Sequence, residues 1–275
     1  MIAVKIIGRL GNQLFQYAFG YASAKRKRTI FFIDYPNSDN YILTKYFKLR
    51  KFENYLNKII KVLSNRVLNR SRDFSNLFQY GHEPINEILD AVNGNTYLEG
   101  YFQSELFFRE YQKNIKNLFE IKKKYIITFK SNYKHFFNKP LLVMHFRGGD
   151  YFNWKISTTE SSVVLPFKYY DECLKKIENL EDYKIVWVSD SIDYVRSYYG
   201  DQKGFHYSND NEINDFIFLL NADILIISNS SFAWWGAYLN KKNAKVFAPK
   251  YWLTFIDKTE YPIGISSMDW EWIEI

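Results

Sequence analysis

The start of the chain alternates between strand-like and helix-like patterns, and this alternation limits the folds that it can adopt. Residues 2–7 are rich in β-branched side chains and predict a strand. A glycine-containing turn follows at 8–11, and residues 12–28 repeat apolar side chains at helical spacing. Residues 30–33 predict the next strand. A strand, a helix and a second strand in this order favour a parallel sheet covered by helices.

The second half of the chain repeats this alternation. Strands are predicted at 140–146, 184–188, 224–228 and 245–248, and helices at 166–179, 211–220 and 232–240. The polar segment 129–139 is predicted to link the two halves. The sequence therefore predicts an α/β fold with two domains of similar size, 1–135 and 136–275, and a cleft between them.

Composition narrows the class of protein further. Hydrophobic residues make up 47% of the 275 residues and charged residues 24%, which is typical of a globular chain with a packed core. The single cysteine, Cys173, cannot form an internal disulfide or a cysteine metal cluster, which fits a reducing compartment. No signal-peptide pattern and no apolar run of about 18 residues is present. We therefore expect a cytoplasmic protein.

The net charge of +7 predicts an acidic partner: a nucleotide, a nucleic acid or an anionic lipid surface. Basic residues concentrate at 45–72, where nine Lys or Arg accompany one acid, Glu53, and where 52–69 predicts an amphipathic helix. This segment is either a solvated basic face or a contact with an anionic membrane at its inner face.

Three glycine- or serine-rich features follow predicted strands, where open α/β sheets bind their ligands. The first lies at 8–13, where glycines let the backbone approach a phosphate or sugar at a helix N-terminus. It does not match the dinucleotide-binding G-x-G-x-x-G pattern. A plain tight turn is the alternative interpretation.

The second feature is 145–151, in which Arg147 leaves a buried strand for a Gly-Gly turn between His145 and Asp150. An arginine is costly to bury unpaired. It either forms a structural pair with Asp150 or clamps a phosphate, for which its fork of N–H donors is suited.

The third feature is 229–236, which joins a strand to a helix. Ser230 and Ser231 can cap that helix or bind a phosphate together with its free amides. Trp234 and Trp235 in the same feature belong to the core or form a platform for a sugar ring.

Two acids are candidates for contacts to a base or ribose. Asp190 lies two residues beyond the predicted strand 184–188. Asp215 lies in the predicted helix 211–220, which precedes the third feature. Either is equally interpreted as an ordinary acid at a helix start. The four histidines lie far apart and no D-x-D motif is present, so we predict no metal and no cofactor.

Four segments in this order resemble the motifs of α-1,2-fucosyltransferases of the bacterial type. They are 8–18, 98–104, 145–151 and 229–237. Together they span nearly the whole chain, and two of them are long. The resemblance is therefore more specific than any single motif.

The resemblance implies a GT-B-like architecture, with two Rossmann-like domains facing a central cleft. The domain 1–135 is then the acceptor side and 136–275 the donor side. It implies inverting, metal-independent transfer of L-fucose from GDP-β-L-fucose to the 2-hydroxyl of a galactose-containing glycan, which makes an α-1,2 link. The acceptor is expected to be lipid-linked on the cytoplasmic side of a membrane.

The resemblance and the chemistry of the side chains together lead us to expect roles for individual residues. The catalytic group is Arg147, His145 and Asp150, with Arg147 at the donor phosphate and His145 or Asp150 as the base. The residues expected to bind GDP-fucose are Gly11, Asn12, Gln13, Arg147, Asp190, Asp215, Asn229, Ser230, Ser231 and Phe232. One departure is Gly148, where the family usually has a second arginine, which leaves the donor contacts open.

Other functions stay open at this point. The chain could use another GDP-sugar, make another fucose linkage, or bind a nucleotide or glycan without catalysis. Nucleic acid is not an expected partner, because Arg147 clusters with Asp150 and Asn229 at strand ends, whereas surfaces that track phosphates favour spread Lys and Arg.

Overall fold

A computed structural model describes residues 1–34, 42–49, 75–79, 81–156 and 162–275. The chain divides into two compact units, a first unit of Met1–Lys122 with Pro262–Ser267 and a second unit of Lys123–Tyr261 with Met268–Ile275. The helix predicted at 52–69 lies outside the described residues, as does most of the basic segment 45–72.

Among its described residues, the first unit contains a sheet of four parallel strands in the order β2-β1-β4-β3. The strands are β1 Ile2–Lys5, β2 Phe31–Asp34, β3 Ser75–Gln79 and β4 Thr96–Gly100. The helices are α1 Leu10–Arg26, α2 Leu43–Tyr46, α3 Ile85–Ala91 and α4 Gln112–Leu118. The predicted strand–helix–strand opening is thus confirmed, with β1 and β2 as parallel neighbours.

Helix α1 is buried from Leu10 to Ala24 except at Asn12. It begins two residues before the predicted start, because Arg9 already has the extended backbone of a residue that precedes a helix. Its last turn carries Lys25 and Arg26, where positive charge stabilises the carbonyl end of the helix.

The second unit contains a parallel sheet in the order β10-β9-β8-β5-β6-β7. Its strands are β5 Leu141–Phe146, β6 Lys184–Ser189, β7 Phe205–Tyr207, β8 Ile224–Ile226, β9 Lys245–Pro249 and β10 Glu271–Ile273. Its helices are α5 Lys123–Tyr133, α6 Phe167–Leu174, α7 Ile192–Tyr199, α8 Glu212–Leu220 and α9 Ser231–Tyr238. The strands β7 and β10 were not predicted, since neither contains a run of aliphatic residues such as the one in β8.

The segment 129–139 is not a linker. Phe129 is buried in α5 with its ring centroid 4.8 Å from that of Phe218, and Phe136 lies 5.6 Å from the same ring. The polar residues that suggested a linker are the exposed face of this helical segment. The division between the units therefore falls after Lys122 and not at 135.

The core of the second unit is aromatic. Trp187, Trp234 and Trp235 are fully buried, and the rings of Trp234 and Trp235 meet edge to face at 5.2 Å. The alternative of a sugar platform is therefore wrong for Trp234 and Trp235, because no face of either ring is open to a ligand.

Candidate functional site

The carboxyl ends of β5, β6 and β8 bring most of the predicted residues of the second unit to one edge of its sheet. Arg147 follows β5, which lies between β6 and β8 in the sheet. Asp190 follows β6, and Asn229 lies three residues beyond β8. Because all of these strands are parallel, their ends open at the same edge.

Arg147 is held by two carboxylates at this edge. Its Nη1 lies 2.5 Å from Oδ2 of Asp190, and its Nη2 donates to Oδ1 of Asp150. The guanidinium also lies over the ring of Tyr151, with 5.0 Å between its central carbon and the ring centroid. The predicted pair with Asp150 is thus present, and Asp190 is a second partner. An arginine that is 13% exposed needs such partners, since burial penalises an unpaired charge.

The Gly-Gly turn after Arg147 packs against the start of α7. The Gly148 amide donates to Oδ1 of Asp190 at 2.9 Å, and the Gly149 amide donates to Oγ of Ser191 at 2.9 Å. A Cβ on Gly148 would lie 2.4 Å from Oγ of Ser191 and 2.8 Å from Cε2 of Phe152. The space for the second arginine of the resembled family is therefore filled here by Ser191 and Phe152.

His145 is the last residue but one of β5 and is buried. Its Nδ1 lies 2.8 Å from Oγ of Ser228, and its ring centroid lies 5.7 Å from that of Phe232. Burial, with a smaller contribution from the nearby Arg147 charge, lowers the pKa of His145 to about 3. His145 is thus neutral at neutral pH and accepts a proton poorly.

The segment 229–232 turns from β8 into α9. The buried Asn229 donates from Nδ2 to the Val163 carbonyl at 2.8 Å, and its own carbonyl accepts from the Tyr151 hydroxyl at 3.2 Å. Ser230 precedes the first residue of α9, yet its side chain makes no capping hydrogen bond. Capping is therefore not the role of the Ser230 hydroxyl.

Asp215 lies in the first turn of α8 and is buried. Its Oδ1 accepts a hydrogen bond from Oγ of Ser208 at 2.5 Å. Ser208 directly follows β7, so Asp215 is tied to the same edge of the sheet as Arg147. Burial outweighs the Ser208 hydrogen bond and raises the pKa of Asp215 to about 7.

The pKa of Asp215 makes stability depend on pH. Between its ordinary value of 3.8 and about 7, the folded protein keeps a proton that the unfolded chain has lost. The free energy of unfolding therefore falls as pH rises through this window. We expect Asp215→Asn to gain stability relative to the parent by on the order of 3–4 kcal/mol from about pH 4 to about pH 8.

Thermal unfolding of the Asp215→Asn variant and the parent at several pH values measures this gain. The exposed Asp193→Asn is the matched control for the loss of one carboxylate. A difference between the Asp215→Asn variant and the parent that stays constant with pH would contradict the titration of Asp215 in this range.

The predicted residues of the first unit lie in the first turn of α1, which directly follows the turn after β1. Gln13 donates from Nε2 to the Gly8 carbonyl at 3.0 Å and accepts from the Ile42 amide at 3.0 Å. Asn12 accepts from Nε2 of Gln103 at 2.8 Å, and Gly11 is buried at the start of α1. The side-chain amide of Gln13 thus supports the backbone at Gly8 and Ile42. Binding of a ligand by Gly11, Asn12 and Gln13 stays a prediction.

Three serines that support these groups were not predicted. Ser191 and Ser228 could have been found, since Ser228 ends a predicted strand beside Asn229 and Ser191 directly follows Asp190. Ser208 had none, because it follows the unpredicted strand β7.

The comparison with protein families decides the identity of the chain. The sequence profile of glycosyl transferase family 11 matches residues 1–273. The chain belongs to this family. The predicted family resemblance is thereby confirmed over nearly the whole length of the family 11 chain.

Two relatives from Escherichia coli are similar to the family 11 chain along most of their length. The O-antigen biosynthesis glycosyltransferase WbnK is 25% identical, over 92% of this chain and 95% of the relative. An alpha-1,2-colitosyltransferase is 26% identical, over 92% of each chain.

The fold is similar to that of a solved fucosyltransferase. The structure of NodZ alpha-1,6-fucosyltransferase soaked with GDP-fucose matches with a TM-score of 0.55 at 13% identity, over 86% of this chain and 91% of that one. This likeness, with the two parallel sheets, confirms the prediction of a GT-B-like α/β fold with two Rossmann-like units.

Membrane-spanning helices and metal clusters are both absent from the part of the chain that the structure describes. No helix in that part is long and apolar enough to span a bilayer. No three or more His, Cys, Asp or Glu side chains among the described residues gather as ligands for a metal ion.

Proposed function

We propose that the family 11 chain transfers L-fucose from GDP-β-L-fucose to the 2-hydroxyl of a galactose-type acceptor, with inversion and without a metal ion. The observation that carries the proposal is Arg147, aimed by Asp190 at the carboxyl edge of the sheet. A GDP leaving group carries its growing charge on the β-phosphate oxygen. Donors placed in advance at such a charge usually accelerate a reaction more than any other single effect.

We assign the GDP part of the donor to the second unit and the acceptor to the first. Arg147 binds the β-phosphate, and Ser230 and Ser231 add hydroxyl and amide donors at the start of α9. Asn229 and Phe232 shape the same turn, and Asp215, at the start of α8, is proposed to accept from the N–H groups of guanine. In the first unit, Gly11, Asn12 and Gln13 are proposed to contact the sugar end of the donor.

The chemical step forms two bonds and breaks two. The acceptor oxygen attacks C1 of fucose from the face opposite GDP, which inverts the configuration. The bond from C1 to the phosphate oxygen breaks, and its electron pair leaves with GDP. The acceptor proton passes to Asp150, whose carboxylate is exposed, whereas His145 is buried.

The experiment is incubation with GDP-fucose and a panel of galactose-terminated oligosaccharides, with and without EDTA. We expect a fucosylated product, an α-1,2 link in its NMR spectrum and unchanged rate in EDTA. A different linkage would contradict the proposed α-1,2 link. A rate that EDTA abolishes and a divalent cation restores would contradict the proposed metal independence. If the protein shows neither transfer nor donor hydrolysis, the result indicates a binding protein without catalysis.

Colitose is the second candidate for the sugar. It is favoured by the 26% identity to the alpha-1,2-colitosyltransferase over 92% of both chains. A competition between nucleotide-activated colitose and GDP-fucose for one acceptor discriminates the two donors. We expect fucose to give the higher kcat/KM, and the opposite ratio would assign the enzyme to colitose.

A lipid-linked acceptor at an anionic membrane is a further part of the proposal. It is supported by the basic composition of 45–72 and by the similarity to an O-antigen biosynthesis enzyme. Flotation with vesicles that contain anionic lipid measures it, and we expect binding that decreases with salt. Failure to bind such vesicles at low salt would contradict the membrane contact.

A further inference from the structure

The two carboxylates on Arg147 are held very differently. Asp190 lies at the end of a neighbouring strand, and its two oxygens engage both the guanidinium and the Gly148 amide. Asp150 lies on the same loop as Arg147 and is 58% exposed, against 28% for Asp190. Among the described residues, the Asp150 carboxylate bonds to Arg147 alone. Asp190 is therefore anchored, and Asp150 is free to leave.

The net charge of Arg147, Asp150 and Asp190 repels a diphosphate while both carboxylates are in place. One guanidinium faces two carboxylates, so the three side chains together are negative. In addition, Asp150 occupies one N–H of Nη2, one of the five donors of the guanidinium. Asp150 therefore competes with an anionic ligand for Arg147, and its withdrawal removes both the repulsion and the competition.

Asp150 is the carboxylate that can withdraw at low cost. Exposed ion pairs contribute little to stability, because water solvates each separated partner. Release of Asp190, in contrast, would leave the Gly148 amide without its acceptor and the less exposed guanidinium without its anchor.

We propose that Asp150 is an exchangeable counter-ion of Arg147, whereas Asp190 is a positioning residue. In the free protein Asp150 occupies the place of the donor phosphate. The diphosphate displaces it, and the released carboxylate then accepts the proton of the attacking hydroxyl. This inference rests on the proposed role of Arg147 as the phosphate ligand. Donor binding thereby frees the Asp150 carboxylate, so that the general base is available only when the donor is bound.

The test is the affinity for GDP, measured by calorimetry at low salt. Asp150→Asn removes the charge that competes with the phosphate, so we expect GDP to bind about two- to fivefold more tightly. The same variant is expected to lose about 10²-fold in kcat, because it lacks the base. Tighter binding with slower turnover is an outcome that a merely structural role of Asp150 would not produce.

Two variants serve as controls. Asp190→Asn removes the same charge from Arg147 but also its anchor, so we expect weaker GDP binding. Asp193→Asn removes an exposed charge from the first turn of α7, and we expect unchanged affinity and turnover. Equal gains in affinity for Asp150→Asn and Asp190→Asn would indicate simple charge relief and would overturn the exchange.

The inference and the proposed function fail in different ways. If Arg147→Ala binds GDP as well as the parent, the phosphate role of Arg147 is wrong. If Arg147→Ala loses GDP but Asp150→Asn binds it no more tightly than the parent, the exchange alone is wrong. Thermal unfolding of each variant shows that the compared proteins are folded.

Discussion

Replacement of Arg147 with alanine is expected to slow sugar transfer about 10²–10³-fold, because one donor at a developing phosphate charge typically contributes this much. The loss should fall on kcat more than on KM, since the charge grows only as the bond to GDP breaks. Initial rates with GDP-fucose, measured over a range of donor concentrations, separate the two parameters.

The controls for Arg147 come from the same unit. Arg147→Lys keeps the positive charge but not the planar fork, and we expect it to restore only part of the rate. Arg196→Ala removes an exposed arginine that lies 3.6 Å from Asp201, and we expect the rate of the parent. An Arg147→Ala protein that is folded and transfers sugar at the parent rate would end the proposal for this residue.

Replacement of Gly100 with alanine is expected to destabilise the first unit by more than about 3 kcal/mol. Gly100 ends β4 with φ at +149°, a conformation that side chains rarely adopt. A Cβ there would lie 1.9 Å from the Gln79 carbonyl oxygen, which is backbone and cannot turn aside. That oxygen already accepts from the Tyr101 amide at 3.1 Å.

Thermal unfolding followed by circular dichroism measures the effect of Gly100→Ala. Gly94→Ala is the matched control, because a Cβ at Gly94 would have no heavy atom within 4 Å. We expect the midpoint to fall sharply for Gly100→Ala and to change little for Gly94→Ala. Similar midpoints for the two variants would show that β3 and β4 adjust to the added carbon.

The alternation of apolar patterns predicted most of the sheet that carries the site. The strands β5, β6, β8 and β9 were predicted within a few residues, since each contains a buried apolar run. The strand ends follow from the same pattern. The positions of Arg147 and Asp190 at one edge of a parallel sheet were thus predictable from the sequence.

The partners of these residues were not predictable in the same way. Asp190 was expected to contact a base or ribose, whereas the structure shows it bound to Arg147 and to the Gly148 amide. Arg147 and Asp190 are 43 positions apart, and the chain between them carries no pattern that specifies which atoms meet. The same holds for Ser208, which is 7 residues from Asp215 and follows a strand that contains no run of aliphatic residues.

The sequence by itself determined the α/β class, the family and the identity of the groups at the strand ends. These are properties of local periodicity and of residue order, which every conformation of the chain retains. Only the tertiary structure decided that Asp190 is anchored, that Asp150 is exposed and that burial makes His145 neutral. Exposure, pairing and pKa depend on which atoms surround a group, and packing across strands alone determines that.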